Sequence, residues 1–343
     1  MTDQDSPTRP VPIIVNFDIE PDEHYIDRNR PEPWHGFEAA FPLVDEIRER
    51  IYKYTGCSPH FTWILRADKQ IKQTYGAADW ALERYGSELE QLRAAGDEVG
   101  VHTHMYRWDK NLNDWIQDFM DTDHIRECIE MGIHAMRKHG YQPETHSVGG
   151  IHWMSNELRD FLIDQGIQYD LTLKPGEKGQ TISRKIGQVD CEPIDGRPIP
   201  QQPYRSCSED FRLPAKTCPT NLWFIPLSVQ LPDYGIRPAL RRLRNKLIGH
   251  DRSETRRFIL RRGPENFRET FEHRIRTESQ PHFMAVLRTA TFSRSDLLAG
   301  VMQSIDYIVS HPQADRFRFA TPGETISLLG LAGTQQDSQR SAA

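Results

Sequence analysis

Hydrophobic and polar positions follow two alternating periods along the first half of the chain. VPIIVNFD, from Val11 to Asp18, is a short β-branched apolar run that ends in acid and reads as a buried first strand. From Phe41 to Tyr54 the period lengthens to that of a helix. Val44, Ile47 and Ile51 share one face, Pro42 falls in the first turn and Gly56 stops the element. HFTWIL (60–65) predicts a second strand, Trp80 to Ala95 a helix closed by Gly96, and Glu98 to His102 a third strand that runs out into Thr103 and His104. Ile125, Cys128, Ile129, Gly132 and Met136 mark another amphipathic helix, closed by Gly140. Strands near Thr145–Val148 and Gln168–Leu173 flank a helix from Asn156 to Gln165. A proline-rich stretch without periodicity runs from Gly176 to about Thr220, and loops of that length in a compact enzyme are usually functional. NLWFIPLSV (221–229), HFMAVLRTATF, a helix from Arg294 to Ser310 and RFRFATPGE then restore the alternation.

Such alternation predicts a parallel sheet with helices outside it, as an open doubly wound sheet or a barrel. Chemistry in both collects at the carboxyl ends of the strands. The polar residues stand there: Asp18 and Glu20 after the first strand, Arg66 and Asp68 after the second, His102 and His104 after the third.

Composition narrows the setting. The 343 residues are 37% hydrophobic and 27% charged, which permits one or two domains. No apolar run approaches the ~18 residues of a membrane span, and Met1 to Pro10 has no apolar core, so a cytoplasmic location is expected. Cys57, Cys128, Cys191, Cys207 and Cys218 are odd in number and contain no CxxC pair, against a disulfide framework and a thiolate zinc site. The net charge of -6 hides a segregation. Residues 237–276 hold 13 Lys/Arg against 5 acids, a local +8, leaving -14 elsewhere. That segment is either a pair of solvated helices, given the spacing of Leu240, Leu243 and Leu247, or an anion patch facing a nucleotide-sugar, a lipid-diphosphate-linked glycan or an anionic membrane. No nucleic-acid-binding module accompanies it, so nucleic acid is not an expected partner.

Two histidines at i and i+2 leaving a strand can turn both imidazoles to one side. With a carboxylate from another strand they make the two-His, one-carboxylate set of an open catalytic metal site. Asp18 and Glu20, two apart on an extended segment, face the same way, and beside a dication one would ligate while the other accepts a proton from water. Trp63, Trp108 and Trp153 near strand ends are candidates either for stacking on a sugar ring or for barrel packing. His124, His134 and His139, on one helix, read as surface or rim residues.

NFDIEPD, HFTWIL, DEVGVHTH, VGGIHWMSNELRDFLIDQGIQYDLTL, LWFIPLSV and RFRFATPGE, in this order, resemble the polysaccharide deacetylase superfamily (NodB-homology, carbohydrate esterase family 4) in a branch with an H-x-H second motif. The resemblance implies an α/β fold, a distorted (β/α) barrel over residues 11–325. A loop-rich, basic helical insertion would occupy about 176–280, and short disordered tails 1–10 and 334–343. It implies a metal-dependent hydrolase removing N-acetyl or N-formyl groups from an amino sugar or sugar conjugate, with nucleotide- or lipid-diphosphate-linked sugars among the candidates, in cell-surface polysaccharide synthesis. Carried over by motif, Asp18 is the base, and Glu20, His102 and His104 hold the metal, most simply zinc. Arg288 stands where the family places a His acid, and Ser147 or His146 where it places an Arg. Arg288 would then stabilise an oxyanion, with His146, His152 or His282 as the acid. Tyr204 and Arg205 match the substrate-facing stretch, and Arg66, after the second strand, is a further substrate-binding candidate. The altered motifs leave two alternatives, a catalytically silent glycan- or partner-binding member and a C–N hydrolase of non-sugar amides.

Overall fold

The computed structural model describes residues 9–176, 189–190, 194–230 and 256–332. Its strands are β1 (Val11–Ile19), β2 (Thr62–Arg66), β3 (Glu98–Thr103), β4 (Tyr106–Asp109), β5 (Asp114–Asp118), β6 (Thr145–Val148), β7 (Tyr169–Asp170), β8 (Val189–Asp190), β9 (Tyr204–Arg205), β10 (Trp223–Phe224), β11 (Val229–Gln230), β12 (Arg256–Arg257), β13 (Phe283–Arg288) and β14 (Phe317–Phe319). The helices are α1 (His35–Thr55), α2 (Lys69–Tyr75), α3 (Trp80–Arg84), α4 (Gly86–Ala94), α5 (Thr122–Lys138), α6 (Asn156–Asp164), α7 (Arg268–Thr277), α8 (Ser295–Val309) and α9 (Pro322–Leu328).

The main sheet runs β13-β1-β2-β3-β6-β7-β10-β9, parallel until the last pair, and β14 adds to the first residues of β1. It curls into a half-barrel. β1 is buried along its whole length, as expected of a parallel strand covered on both faces. Register decides which side chains look into the barrel, because partners across a parallel ladder share a face. Asp18 stands opposite Arg288 and Ile64, Arg66 opposite His102, and His102 opposite Ser147, so these line the interior. The alternate set, Val101, His146 and Asp170, faces the helices. A Cβ on Gly132 of α5 would come within 2.9 Å of Val101 Cγ2, which fixes that side as the helix side.

The apolar residues divide accordingly. A large cluster fills the space between sheet and helices, whereas Ile14, Leu171, Ile225, Leu227, Val229, Met284 and Ile326 form a separate small cluster inside the barrel. The gap between β7 and β13 is bridged by the segment 225–229. Ile225 N donates to Asp170 O (3.0 Å), Leu227 N to Leu173 O (2.9 Å) and Ser228 N to Met284 O (3.2 Å), while Met284 N donates back to Ser228 Oγ (2.9 Å).

Several elements differ from the periodicity. α1 begins at His35, which places Pro42 inside it rather than in its first turn. The start is held by Gly36 N donating to Asp22 Oδ1 (2.9 Å). Gly36 also lies so close to Thr289 and Ala290 that a Cβ would sit 2.5 Å from Ala290 N. The helix expected from Trp80 to Ala95 breaks into α3 and α4 at Tyr85, whose hydroxyl leaves the helix line to accept from Trp34 N (3.0 Å). Pro226, which has no N–H, divides the strand expected at 221–229 into β10 and β11. The antiparallel β4–β5 hairpin, turning through Asn113 at φ 50°, was not marked by the pattern. Of the basic segment, the helix expected around Leu240–Leu247 lies outside the described residues. The described remainder forms β12, a 3₁₀ turn at Leu260–Arg262, and α7. Among the described residues, no helix is long and apolar enough to cross a membrane.

Candidate metal centre

Glu20 follows the last residue of β1, and His102 and His104 bracket the end of β3. Glu20 Oε2 lies 3.1 Å from His104 Nε2 and 3.9 Å from His102 Nε2, and the two Nε2 atoms are 3.1 Å apart. All three residues are buried. Donor atoms each about 2.0–2.2 Å from a tetrahedral ion stand roughly 3.3 Å from one another, so the trio fits a single ion. Two further observations support that fit. Glu20 Oε2 is buried without a well-oriented hydrogen-bond donor. A Cβ on Gly149 would sit 1.9 Å from His104 Nε2 and 2.6 Å from His102 Nε2, so only glycine leaves the ligand atoms room.

Neighbouring groups orient the trio. His102 Nδ1 faces Ser147 O at 3.1 Å, an acceptor that selects the tautomer with the proton on Nδ1 and the lone pair of Nε2 turned to the centre. His104 is held through its backbone, whose N–H donates to Asp68 Oδ2 (3.0 Å), and its ring stacks on Tyr106 at 5.3 Å. Burial lowers His102 to about 4 and pushes His104 well below the ordinary imidazole range, so both are neutral at pH 7 and could each offer a lone pair. Burial opposes the charge of Glu20, but the guanidinium of Arg288, followed by His24 and His104, holds its carboxyl well below the usual range. Arg288 Nε donates to Glu20 Oε1, and its Nη2 donates to the carbonyls of Pro21 and Asp22, each at 3.2 Å. Asp18 is the opposite case. Burial first, then the charge of Glu20, raises it well above the carboxylate range, although Asn16 Nδ2 donates to its Oδ1 at 2.8 Å. Two carboxylates two residues apart are thus driven in opposite directions, one toward ligand and one toward proton carrier.

The cleft at this end of the barrel has a volume of about 270 Å³. Asp18, Glu20, His102, His104 and Arg288 line it, together with His24, His152, Arg257 and Arg261. Of these, His24 was not singled out from the sequence. It lies four residues beyond Glu20, 3.8 Å from that carboxylate, and burial lowers it to about 4. Its place in the same post-strand loop as the acid motif was the available signal.

Other expected site residues are elsewhere. His146 is on the helix side of β6, paired through Nδ1 with Asp170 Oδ2 at 3.0 Å, so it cannot face substrate in the cleft. His282, just before β13, is fully buried six residues below Arg288, at the far end of that strand. Arg66 points inward but is sealed beneath the ligands, with Nε donating to Asp68 Oδ2 (2.7 Å) and Nη1 3.8 Å from Glu20 Oε2. It braces the centre and does not reach the cleft. Trp63 belongs to the core, stacked on Phe17 at 4.1 Å with Nε1 donating to Asp97 (2.7 Å). Trp108 packs on Trp115 in the β4–β5 hairpin, with Arg28 over its ring. Trp153 lines a second cavity of about 490 Å³, next in sequence to His152 of the first cleft. Tyr204 is buried and its hydroxyl donates to Phe211 O (2.8 Å), while Arg205 is occupied with Thr220 and Asn221. His124, expected at the surface, is buried beside Met105 O and Cys128.

No protein-family model matches the sequence. No curated protein matches it either. Solved structures do. A protein named as a polysaccharide deacetylase of Pseudomonas aeruginosa PAO1 is similar over 96% of this chain and 94% of its own, with TM-score 0.54 and 14% identity. A protein named as a glycoside hydrolase/deacetylase of Parabacteroides distasonis is similar over 94% and 72%, with TM-score 0.53 and 14% identity. The chain has the polysaccharide deacetylase fold. Puue allantoinase shares it, over 95% of this chain and 92% of that one, with TM-score 0.51 and 14% identity. Within the deacetylase fold, the Glu20–His102–His104 trio occupies the carboxyl end of the parallel strands, where β/α barrels assemble their chemistry.

Proposed function

We propose that this chain is a metal-dependent amide hydrolase that removes an N-acetyl or N-formyl group from an amino sugar, most simply a precursor in cell-surface polysaccharide assembly in the cytoplasm. The observation that carries the reading is the convergence of Glu20, His102 and His104 on one point, with Asp18 in the same cleft. Two neutral imidazoles and one carboxylate suit zinc, and leave an open position for substrate. Glu20, His102 and His104 would hold the divalent ion, which would lower the pKa of a water and polarise an amide carbonyl.

The remaining work falls to the protein. Asp18, raised by burial and by Glu20, accepts the proton released from the attacking water. Arg288 keeps Glu20 ionised and fixes the loop after β1 through two carbonyls. Its guanidinium is therefore committed to the ligand rather than to an oxyanion. His152, with Nδ1 against Thr172 O at 2.9 Å, is the cleft imidazole that can return a proton to the leaving amine. Substrates joined to a nucleotide or lipid diphosphate agree with the basic segment that contributes Arg257 and Arg261 to the cleft.

The test joins metal analysis of the purified protein to a screen for acetate and formate release across N-acylated amino sugars and non-sugar amides. Stoichiometric metal and acyl release from a sugar are expected. Stoichiometric metal with no acyl release from any amide would leave a silent binding protein.

A further inference from the structure

Arg261 stands apart from every other arginine that shares the cleft. Its backbone is held from outside. The 3₁₀ turn at Leu260–Arg262 presses on α8 so closely that a Cβ on Gly300 would lie 2.3 Å from Arg261 O, and Ser304 Oγ donates to Leu260 O at 2.6 Å. Its side chain is half-buried in the cleft wall, and among the described residues it makes no ion pair and no hydrogen bond. The charges that weigh most on it are of its own sign: Arg262, Arg288, Arg257 and Arg294. Arg288 is committed to Glu20 and Arg294 to Asp296. Burial, then these cations, pull its pKa below the ordinary guanidinium value. Asp18 and His24 line the same cleft.

A partly desolvated guanidinium among like charges is unfavourable alone, and an incoming anion that accepts its hydrogen bonds relieves the cost. We propose that Arg261, with Arg257 on the same wall, is an anion-binding subsite, and that the substrate carries a phosphate or carboxylate close to the amide that is cleaved. This rests on the hydrolase reading for its substrate, but the subsite itself does not require the metal. A cleft of about 270 Å³ admits one sugar-sized head group, so the anion belongs to the substrate and not to an extended surface. The two sources of such an anion are a sugar phosphate or diphosphate and a sugar acid.

Isothermal titration of the metal-loaded protein with inorganic pyrophosphate and, separately, with glucuronate tests the subsite, with thermal melts confirming that each variant is folded. The wild type is expected to bind at least one of the two, the tighter naming the source. Arg261→Gln should weaken that binding tenfold or more, Arg261→Lys less, and Arg262→Gln, on the exposed neighbour, less than twofold. His102→Ala, stripped of a metal ligand, should still bind. Equal binding by Arg261→Gln, equal losses in the Arg261 and Arg262 variants, or no binding by the wild type overturns the proposal. Loss in His102→Ala also overturns it, by placing the anion on the metal, and leaves the hydrolase reading intact. Retained anion binding by a wild type that takes up no metal would do the reverse.

Discussion

His102 and His146 sit on neighbouring strands, one step out of register, and that step separates two kinds of chemistry. His102 pairs across the ladder with Ser147 and looks into the barrel, where it meets Glu20 and His104. His146 pairs with Val101 and looks toward the helices, where it meets Asp170. Both are fully or almost fully buried, and each has a carboxylate for company. The carboxylate on the inner face belongs to an open site with spare donor atoms. Asp170 is already satisfied, accepting from Thr172 N (2.9 Å) and Thr172 Oγ1 (3.0 Å) besides His146. The lesson is that a strand histidine is assigned by its face before its identity.

Mutation should separate the two faces cleanly. The largest effect is expected on the inner face: Asp18→Asn should lower kcat by about 10²–10⁴-fold while metal content stays stoichiometric. His102→Ala should abolish both metal and turnover in a protein that still melts cooperatively. Retained metal in His102→Ala would collapse the distinction. Next, Gly149→Ala, which introduces one methyl against both imidazoles, should weaken metal affinity by about 10–100-fold, read by competition with a chelator. On the outer face the currency changes from activity to stability. His146→Ala should cost about 3 kcal/mol in denaturant unfolding by leaving Asp170 short of a partner, with metal stoichiometry intact.

The smallest effect lies at the amino end of the strand that carries His102. Burial, then the charges of Glu144 and Glu324, raises Glu98 to about 7 despite the hydroxyl of Thr145 donating to it. Folding therefore favours its protonated form. That stability is full below pH 4.5 and is lost as pH rises through about 7, by at most about 3 kcal/mol because part of its surface meets solvent. Glu98→Gln should flatten this slope and raise the unfolding midpoint at pH 8. An unchanged slope would remove Glu98 as its source.

The inner face was legible in the sequence because its residues interrupt apolar strands at their carboxyl ends. Asp18, Glu20, His102 and His104 could be singled out from their spacing at strand ends; the last three lie close together, and Asp18 lines the same cleft. The outer face was not legible, since the strand near Thr145–Val148 has the same length and composition in either register, and only pairing shows that His146 turns away. Arg66 was misplaced, and Trp63 left open between stacking and packing, for a related reason. Proximity to a strand end says nothing of whether a large side chain is sealed by its neighbours, and both are. Asp22, third in the acid motif, caps α1 instead of joining the centre, a role that becomes visible only once the helix is seen to start at His35. The β/α order was plain throughout, whereas the break at Tyr85 depends on a hydroxyl contact 51 residues away in sequence.

The segment 225–229 that bridges β7 and β13 works as a ruler. It meets one neighbour at Ile225 and Leu227 and the other at Ser228, and Phe258 N then donates to Ser228 O at 2.9 Å. The position of β12 is thus counted out from this stretch, while the turn bearing Arg261 also rests on α8, and Glu20, His102 and His104 are hung from β1 and β3. Lengthening or shortening it by one residue should shift Arg257 relative to Glu20, His102 and His104. The proposed anion subsite and the proposed metal centre are thus carried by separate parts of the chain.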